Sequence, residues 1–175
     1  MQQNRDRLVR AEPLFTITQE PVSRLGLASQ YLKDLTCIQT AFEAGINFYF
    51  SYDLSSDPLV DELIPLLKTK RDDIFIATGS EARDSEELQR YLDESRRSLN
   101  TDVIDAFFIE YFSPKDSPDE IQAVLAQLQQ WKTAGSVRYV GASTHNIGVA
   151  LQLIQQGRVD ALMLRHNMAH RKVED

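Results

Sequence analysis

The sequence predicts an α/β fold of alternating parallel strands and helices, and residues 101–146 show this pattern most clearly. The apolar run at residues 103–109 is typical of a strand buried on both faces of a parallel sheet. Ser117 and Glu120 then form the pattern of a capping box at the start of a helix. Residues 137–143 follow the glycine that ends this helix and form the next strand. Two parallel strands joined by a helix are the building block of α/β folds.

The same alternation extends to both sides of this unit. Short apolar runs predict further strands at residues 25–29, 46–52, 74–78 and 159–164. Apolar side chains at helical spacing predict helices at residues 33–44, 58–70, 84–99 and 147–156. Pro65, inside the second of these helices, predicts either a kink or a later start. Because no linker separates these segments, residues 12–175 are predicted to form one domain after a loose segment at residues 1–11.

Composition argues against several classes of partner. The chain of 175 residues has a formal net charge of −7 and no basic stripe, so we expect no nucleic-acid partner. No run approaches about 18 apolar residues, so we expect no membrane partner. The first residues lack an apolar signal core, and the single Cys37 cannot form an internal disulfide. We therefore expect a cytoplasmic protein in which Cys37 is a small buried thiol.

Several motifs, in collinear order, resemble those of the aldo-keto reductases. The matching segments are residues 23–27, 44–48, 75–78, 95–109 and 125–143, with Asn167 further on. The resemblance covers residues 12–175 and implies a partial (β/α)8 TIM barrel of the aldo-keto reductase type. It implies about six barrel strands, preceded by a short N-terminal hairpin that includes residues 14–18. It also implies a chemistry in which NADPH delivers hydride to a carbonyl group.

The number of predicted strands is lower than a closed barrel requires. A (β/α)8 barrel has eight strands and usually ~250 residues. The resemblance implies that the missing seventh and eighth units carry the aromatic side chain that stacks on nicotinamide and the residues that hold the adenosine 2′-phosphate. The open sheet would have unpaired edges at residues 25–29 and 159–164. Either a homo-oligomer or another protein covers these edges, or the sequence is a fragment of a longer one.

The resemblance also implies a catalytic tetrad of Asp, Tyr, Lys and His, in which the tyrosine donates a proton to the substrate. In this chain Phe50 stands at the aspartate position and Ser55 at the tyrosine position. Gly79 stands at the lysine position and Glu110 at the histidine position. The tetrad positions are therefore expected to supply none of the family's four catalytic groups.

A shifted alignment would offer substitutes for two of these roles. Asp53 lies three residues beyond Phe50, but an odd shift turns the side chains of a strand to its opposite face. Tyr52 offers a phenol, but a phenol with a pKa of about 10 needs a nearby cation to donate a proton efficiently at neutral pH. Glu110 follows a strand, where such barrels place their chemistry, and a carboxyl there can act as an acid or a base. Tyr52 and Glu110 are therefore the remaining catalytic candidates.

One cofactor-binding candidate follows from the resemblance. Ser143 would contact the nicotinamide amide, although a serine that simply ends a strand is the alternative interpretation. Thr144, Met163 and His166 stand where the family has Asn, Gln and Tyr, so Ser143 alone matches this part of the pattern.

The three histidines do not predict a metal site, because no predicted helix contains both His166 and His170. They are His145, His166 and His170. Surface or loop positions are the simpler interpretation of all three.

These observations leave two functions open. The first is a non-catalytic aldo-keto-reductase-like protein that acts as a binding or regulatory partner and needs no cofactor. The second is an NADPH-dependent oxidoreductase, or a fragment of one, with altered chemistry. The replaced tetrad and the missing cofactor half favour the first function independently of each other.

Overall fold

Parallel pairing joins six strands into one sheet, in the order in which they occur in the described part of the chain. The structure, a computed structural model, describes residues 12–28, 36–54, 57–167 and 169. The strands are β1 (Gly26–Ala28), β2 (Phe48–Ser51), β3 (Phe75–Ser80), β4 (Ile104–Phe112), β5 (Val137–Thr144) and β6 (Ala161–Leu164). The helices are α1 (Cys37–Glu43), α2 (Leu59–Lys70), α3 (Ser85–Ser98), α4 (Pro118–Ala134) and α5 (Ile147–Gln156). The sheet curls into a partial barrel, which confirms the predicted fold class.

Local capping chemistry explains where the helices begin and end. The Ser117 side chain accepts a hydrogen bond from the backbone of Glu120, whose side chain accepts one from Ser117 in return. The helix ends at Gly135, which has a φ of 78° and therefore adopts the left-handed conformation that glycine tolerates best. Asp84 caps α3 by accepting hydrogen bonds from two backbone amides of its first turn.

Several element boundaries differ from the sequence prediction. α2 begins at Leu59 and runs through Pro65 to Lys70, because burial of its apolar face outweighs the single hydrogen bond that proline removes. β4 continues past the predicted end at residue 109 to Phe112, and its pairing register with β5 shifts between Ile109 and Phe112. The predicted helix at residues 33–44 is observed only as Cys37–Glu43, since residues 29–35 lie outside the described part of the chain. The predicted loose segment at residues 1–11 also lies outside it.

The sheet is covered on both faces by apolar side chains. The larger cluster lies between the sheet and the helices, and it includes the edge-to-face pair of Phe107 and Trp131. The smaller cluster fills the inner face of the curl around Phe50, Phe75 and Phe108. The N-terminal segment packs against this inner cluster and forms a turn closed by one antiparallel bridge, between Phe15 and Pro21. Among the described residues, no helix is long and apolar enough to cross a membrane.

A buried carboxylate ties these elements together at the amino end of β4. Asp105 is fully buried, and its two oxygens pair with Arg71 at 2.8 Å and with Arg138 at 2.6 Å. The backbone amide of Ile76 in β3 donates a further hydrogen bond to it, at 2.9 Å. Arg138 in turn donates to the carbonyl of Thr16 in the N-terminal turn, at 2.9 Å. The network thus joins β3, β4 and β5 to the segment that closes the inner face.

We expect Asp105→Asn to lower the free energy of unfolding by about 3–5 kcal/mol, because it leaves two partly buried guanidinium groups without their counter-charge. Urea denaturation followed by circular dichroism measures this loss. Asp102→Asn is the matched control, since the Asp102 side chain is fully exposed and lies 4.0 Å from Arg96. Equal stability of the two variants would contradict the structural role of the network.

Candidate functional site

The carboxyl ends of β2, β3 and β4 surround a cleft of about 390 Å³. Tyr52 and Asp53 line it from the segment after β2, and Gly79 lines it from β3. Glu110 and Tyr111, near the end of β4, complete this part of the wall. The cleft therefore lies at the end of the strands where (β/α)8 barrels carry out their chemistry.

A β-bulge presents two consecutive residues of β4 to this cleft. The pairing of β4 with β5 shifts register between Ile109 and Phe112. Tyr111, inside the bulge, has a φ of 54°, which is unusual for a bulky side chain and marks local strain. Its backbone amide donates to the Ser143 hydroxyl at 2.8 Å. The bulge interrupts the strict alternation of a strand, so Glu110 and Tyr111 both reach the cleft.

The Glu110 carboxyl is buried and incompletely hydrogen-bonded. The residue is 4% exposed, and its Oε1 atom has no hydrogen-bond partner. Burial raises the pKa of this carboxyl to about 7, and the charge of the nearby Glu81 adds to the effect. At neutral pH the group therefore exchanges between its charged and neutral forms, as a general acid or base requires.

Gly79 makes room for this carboxyl. A Cβ atom at position 79 would lie 2.5 Å from Glu110 Oε1 and 2.7 Å from the carbonyl oxygen of Phe108. Any larger side chain there would displace Glu110 or the backbone of β4. The two positions, which the resemblance assigns to the family's lysine and histidine, are thus sterically coupled in this chain.

The other tetrad positions give no polar group within the described residues. Phe50 is 6% exposed and packs edge-on against Tyr52 and Phe108, with ring centroids 4.7 and 6.1 Å apart. Ser55 lies outside the described residues. β2 ends at Ser51, so the alternation expected to turn Asp53 away from the site no longer applies, and Asp53 lines the cleft with Tyr52.

Tyr91, on α3, also belongs to the site, and no sequence motif pointed to it. Its hydroxyl forms a 2.8 Å hydrogen bond with Thr78 Oγ1 and donates to the Tyr52 carbonyl at 3.2 Å. It also accepts from the Leu54 amide at 3.4 Å. Tyr91 therefore holds the segment that carries Tyr52. Burial raises the pKa of both tyrosines, with Tyr111 and Glu110 adding to the shift at Tyr52.

A second, smaller lobe of about 230 Å³ lies on the other side of Tyr52 and Tyr111. It is lined by Ser143, the predicted nicotinamide contact, and by His145 and Arg165. Ser143 is largely buried, and its hydroxyl already accepts the amide of the bulge. The structure therefore gives Ser143 a role in holding β4. His145 is exposed and packs edge-on against Tyr111, whereas His170 lies outside the described residues.

Comparison with known proteins identifies the class of protein. The aldo/keto reductase family matches residues 24–175, so the chain belongs to this family, as the motifs predicted. An aldo-keto reductase from Bacillus halodurans, in its holo form, is 24% identical with a TM-score of 0.74, over 94% of this chain and 59% of that one. A Klebsiella pneumoniae aldo/keto reductase in complex with NADP and acetate is 14% identical with a TM-score of 0.76, over 93% and 61%. A Brucella melitensis aldo/keto reductase is 17% identical with a TM-score of 0.71, over 94% and 66%.

These structural likenesses establish the fold. The chain spans 59% of the Bacillus protein and 61% of the Klebsiella protein, so their full length extends beyond what is matched here. A search of curated proteins finds no match.

We expect the Glu110→Gln variant to become more stable than the parent protein as the pH rises. The carboxyl pKa is raised from 4.5 to about 7, so between these values the folded state retains a proton that the unfolded state releases. The parent protein loses stability across this window, and the full penalty of about 1–3 kcal/mol is present above about pH 7. Glutamine carries no such penalty.

Urea denaturation at about pH 4, 6 and 8 samples conditions below, within and above this pH window. It measures the difference in the free energy of unfolding between the variant and the parent protein. Glu12→Gln, at an exposed position outside the helices and strands, is the control and should show no pH-dependent difference. A Glu110→Gln effect that is the same at every pH would show that the carboxyl is not held in its neutral form.

Proposed function

We propose that this chain is an aldo-keto reductase family member that does not reduce carbonyls and acts as a binding or regulatory partner. The observation that carries the proposal concerns three of the positions that the resemblance assigns to the catalytic tetrad. Phe50 is part of the inner apolar cluster, and Gly79 accommodates the Glu110 carboxyl. The lysine that would lower the pKa of a catalytic tyrosine has no equivalent at position 79. Burial instead raises the pKa of Tyr52, which makes proton loss from this phenol harder.

We expect no NADPH-dependent reduction of aldehydes by the purified protein, because hydride transfer to a carbonyl needs a matched proton donor. Titration of NADPH followed by nucleotide fluorescence measures binding, and absorbance of NADPH with a panel of aldehydes measures turnover. A tetrad-containing aldo-keto reductase provides the positive control.

A second candidate function is an oxidoreductase in which Glu110 supplies the proton. The neutral fraction of its carboxyl near pH 7 favours this alternative. It requires turnover that falls as the pH rises above about 7 and that disappears in Glu110→Gln. Turnover that disappears only in Tyr52→Phe would instead assign the proton to the Tyr52 phenol. Tyr139→Phe is the matched control, because Tyr139 contacts the N-terminal turn through its hydroxyl and lies outside the cleft. Turnover with these properties would replace the first proposal.

The proposed partner covers the edges of the sheet. Within the described residues, β1 pairs only with β2, and β6 pairs only with β5. Leu25, next to β1, is 71% exposed, and α5 exposes Ile147, Leu151 and Ile154 along one face. Unpaired edges next to exposed apolar side chains favour association with a second polypeptide, in the simplest case another copy of this chain.

We expect the protein to scatter light as a species larger than its 20.0 kDa chain. Leu151→Glu should weaken this association by roughly tenfold or more, since it replaces a side chain that the interface would bury. Gln152→Glu places the same charge at the next residue of α5 and is the matched control. A monomer that melts cooperatively at all micromolar concentrations would contradict the proposed assembly.

A further inference from the structure

The cleft at the ends of β2, β3 and β4 combines negative charge with aromatic rings. Three carboxylic residues line it: Asp53, Glu81 and Glu110. Three aromatic residues complete this lining: Tyr52, Tyr91 and Tyr111. None of the described residues that line this lobe is basic. Carboxylates attract cations, and the faces of aromatic rings stabilise them further when water is excluded.

An acidic lining alone does not define a ligand site, but Glu110 adds an independent observation. This side chain is buried, and its Oε1 atom has no hydrogen-bond partner. A buried acceptor without a donor lowers the stability of the folded protein. Since this atom is covered in the structure, a ligand that carries an N–H donor would satisfy it once the carboxyl of Glu110 turns toward the cleft. Because the acceptor is anionic when ionised, a charged donor is preferred over a neutral one.

The cation that could satisfy Glu110 from within the protein is engaged elsewhere. Arg83 donates to the backbone carbonyl of Glu110 at 3.0 Å and pairs with the Asp116 carboxylate at 3.0 Å. Its guanidinium also stacks over the Phe112 ring, 4.9 Å from the centroid. Position 79 carries no side chain at all. The Glu110 carboxyl therefore meets the cleft without an internal counter-ion from either position.

We propose that this cleft binds the primary ammonium group of a small organic amine, with Glu110 as the hydrogen-bonded anion and the three tyrosines around it. The adjacent lobe, with His145 and Arg165 in its wall, is less favourable to a cation, so the charges select between the two lobes. This inference rests on the proposed function, because a site that binds a cation where the family has its lysine is not organised to reduce carbonyls.

Isothermal titration calorimetry with n-butylammonium chloride tests the proposal, with butan-1-ol as the neutral analogue. We expect butylammonium to bind at least about tenfold more tightly than butanol, because a hydrogen bond to a charged group is stronger than one between neutral groups. Tetramethylammonium has the charge but no N–H, and it should also bind more weakly than butylammonium. Glu110→Gln should weaken butylammonium binding about tenfold, and Glu12→Gln should leave it unchanged.

The pH dependence separates a direct role of Glu110 from a structural one. The charged and titratable groups that surround Glu110 are Tyr52 and Asp53 after β2, Glu81 and Arg83 after β3, Tyr91 on α3, and Tyr111 with His145. Since the carboxyl must be ionised to bind a cation, affinity should rise about tenfold between pH 6 and pH 8. The Glu110→Gln variant should not show this rise of affinity with pH, and any pH dependence that remains would come from the other groups.

Tyr52→Leu adds a test of the aromatic contribution, and it should weaken butylammonium binding by about threefold or more. Equal binding of butylammonium and butanol, no detectable binding of butylammonium at millimolar concentration, or binding unaffected by Glu110→Gln would each overturn the proposal. These outcomes are distinct from a failure of the proposed function, which would appear as NADPH turnover in the absence of any amine.

Discussion

The arrangement of this half-barrel depends on the ion pairs and the hydrogen bond of the buried Asp105 carboxylate. Two guanidinium groups and one backbone amide satisfy it, and these donors come from the turn after α2, from β5 and from β3. A charge in the interior is tolerated only when its partners are held in place, so the network requires these elements to keep one relative position. Through Arg138 it also fixes the N-terminal turn against the inner apolar cluster. The amino end of the sheet is therefore covered by the N-terminal turn, and the opposite end is available for a site.

Glu110 lies five residues further along the same strand, and its carboxyl group lacks the donors that Asp105 has. Asp105 has a donor for each oxygen, whereas one oxygen of Glu110 has none, and burial raises the pKa of the Glu110 carboxyl. The first carboxylate stabilises the fold, and the second lowers its stability at neutral pH. The strained backbone of Tyr111 adds a further cost at the same place. Such costs typically accumulate at functional sites, where the geometry serves binding or chemistry rather than stability.

Local sequence signals predicted most of the fold, because they act over a few residues. The apolar run of β4, the Ser117 capping box and the glycine after α4 each specify an element from within its own segment. The site depended on contacts that the chain makes over longer distances. Neither the bulge at Tyr111 nor the fit of Glu110 over position 79 leaves a signal in a single segment, since each arises between neighbouring strands. Tyr91 shows what such patterns miss, because it lies on the apolar face of α3 and also presents its hydroxyl to the cleft.

The steric coupling between positions 79 and 110 bears on the proposal that this site does not reduce carbonyls. Random loss would replace each tetrad residue independently, and nothing would favour a buried carboxyl with an unsatisfied oxygen over a neutral side chain. Here the absence of a side chain at position 79 is the condition under which the Glu110 carboxyl fits. A lysine restored at position 79 alone would collide with that carboxyl, and a histidine restored at position 110 alone would leave position 79 without its cation. The two positions therefore act as one unit, and this coupling supports the proposed binding role.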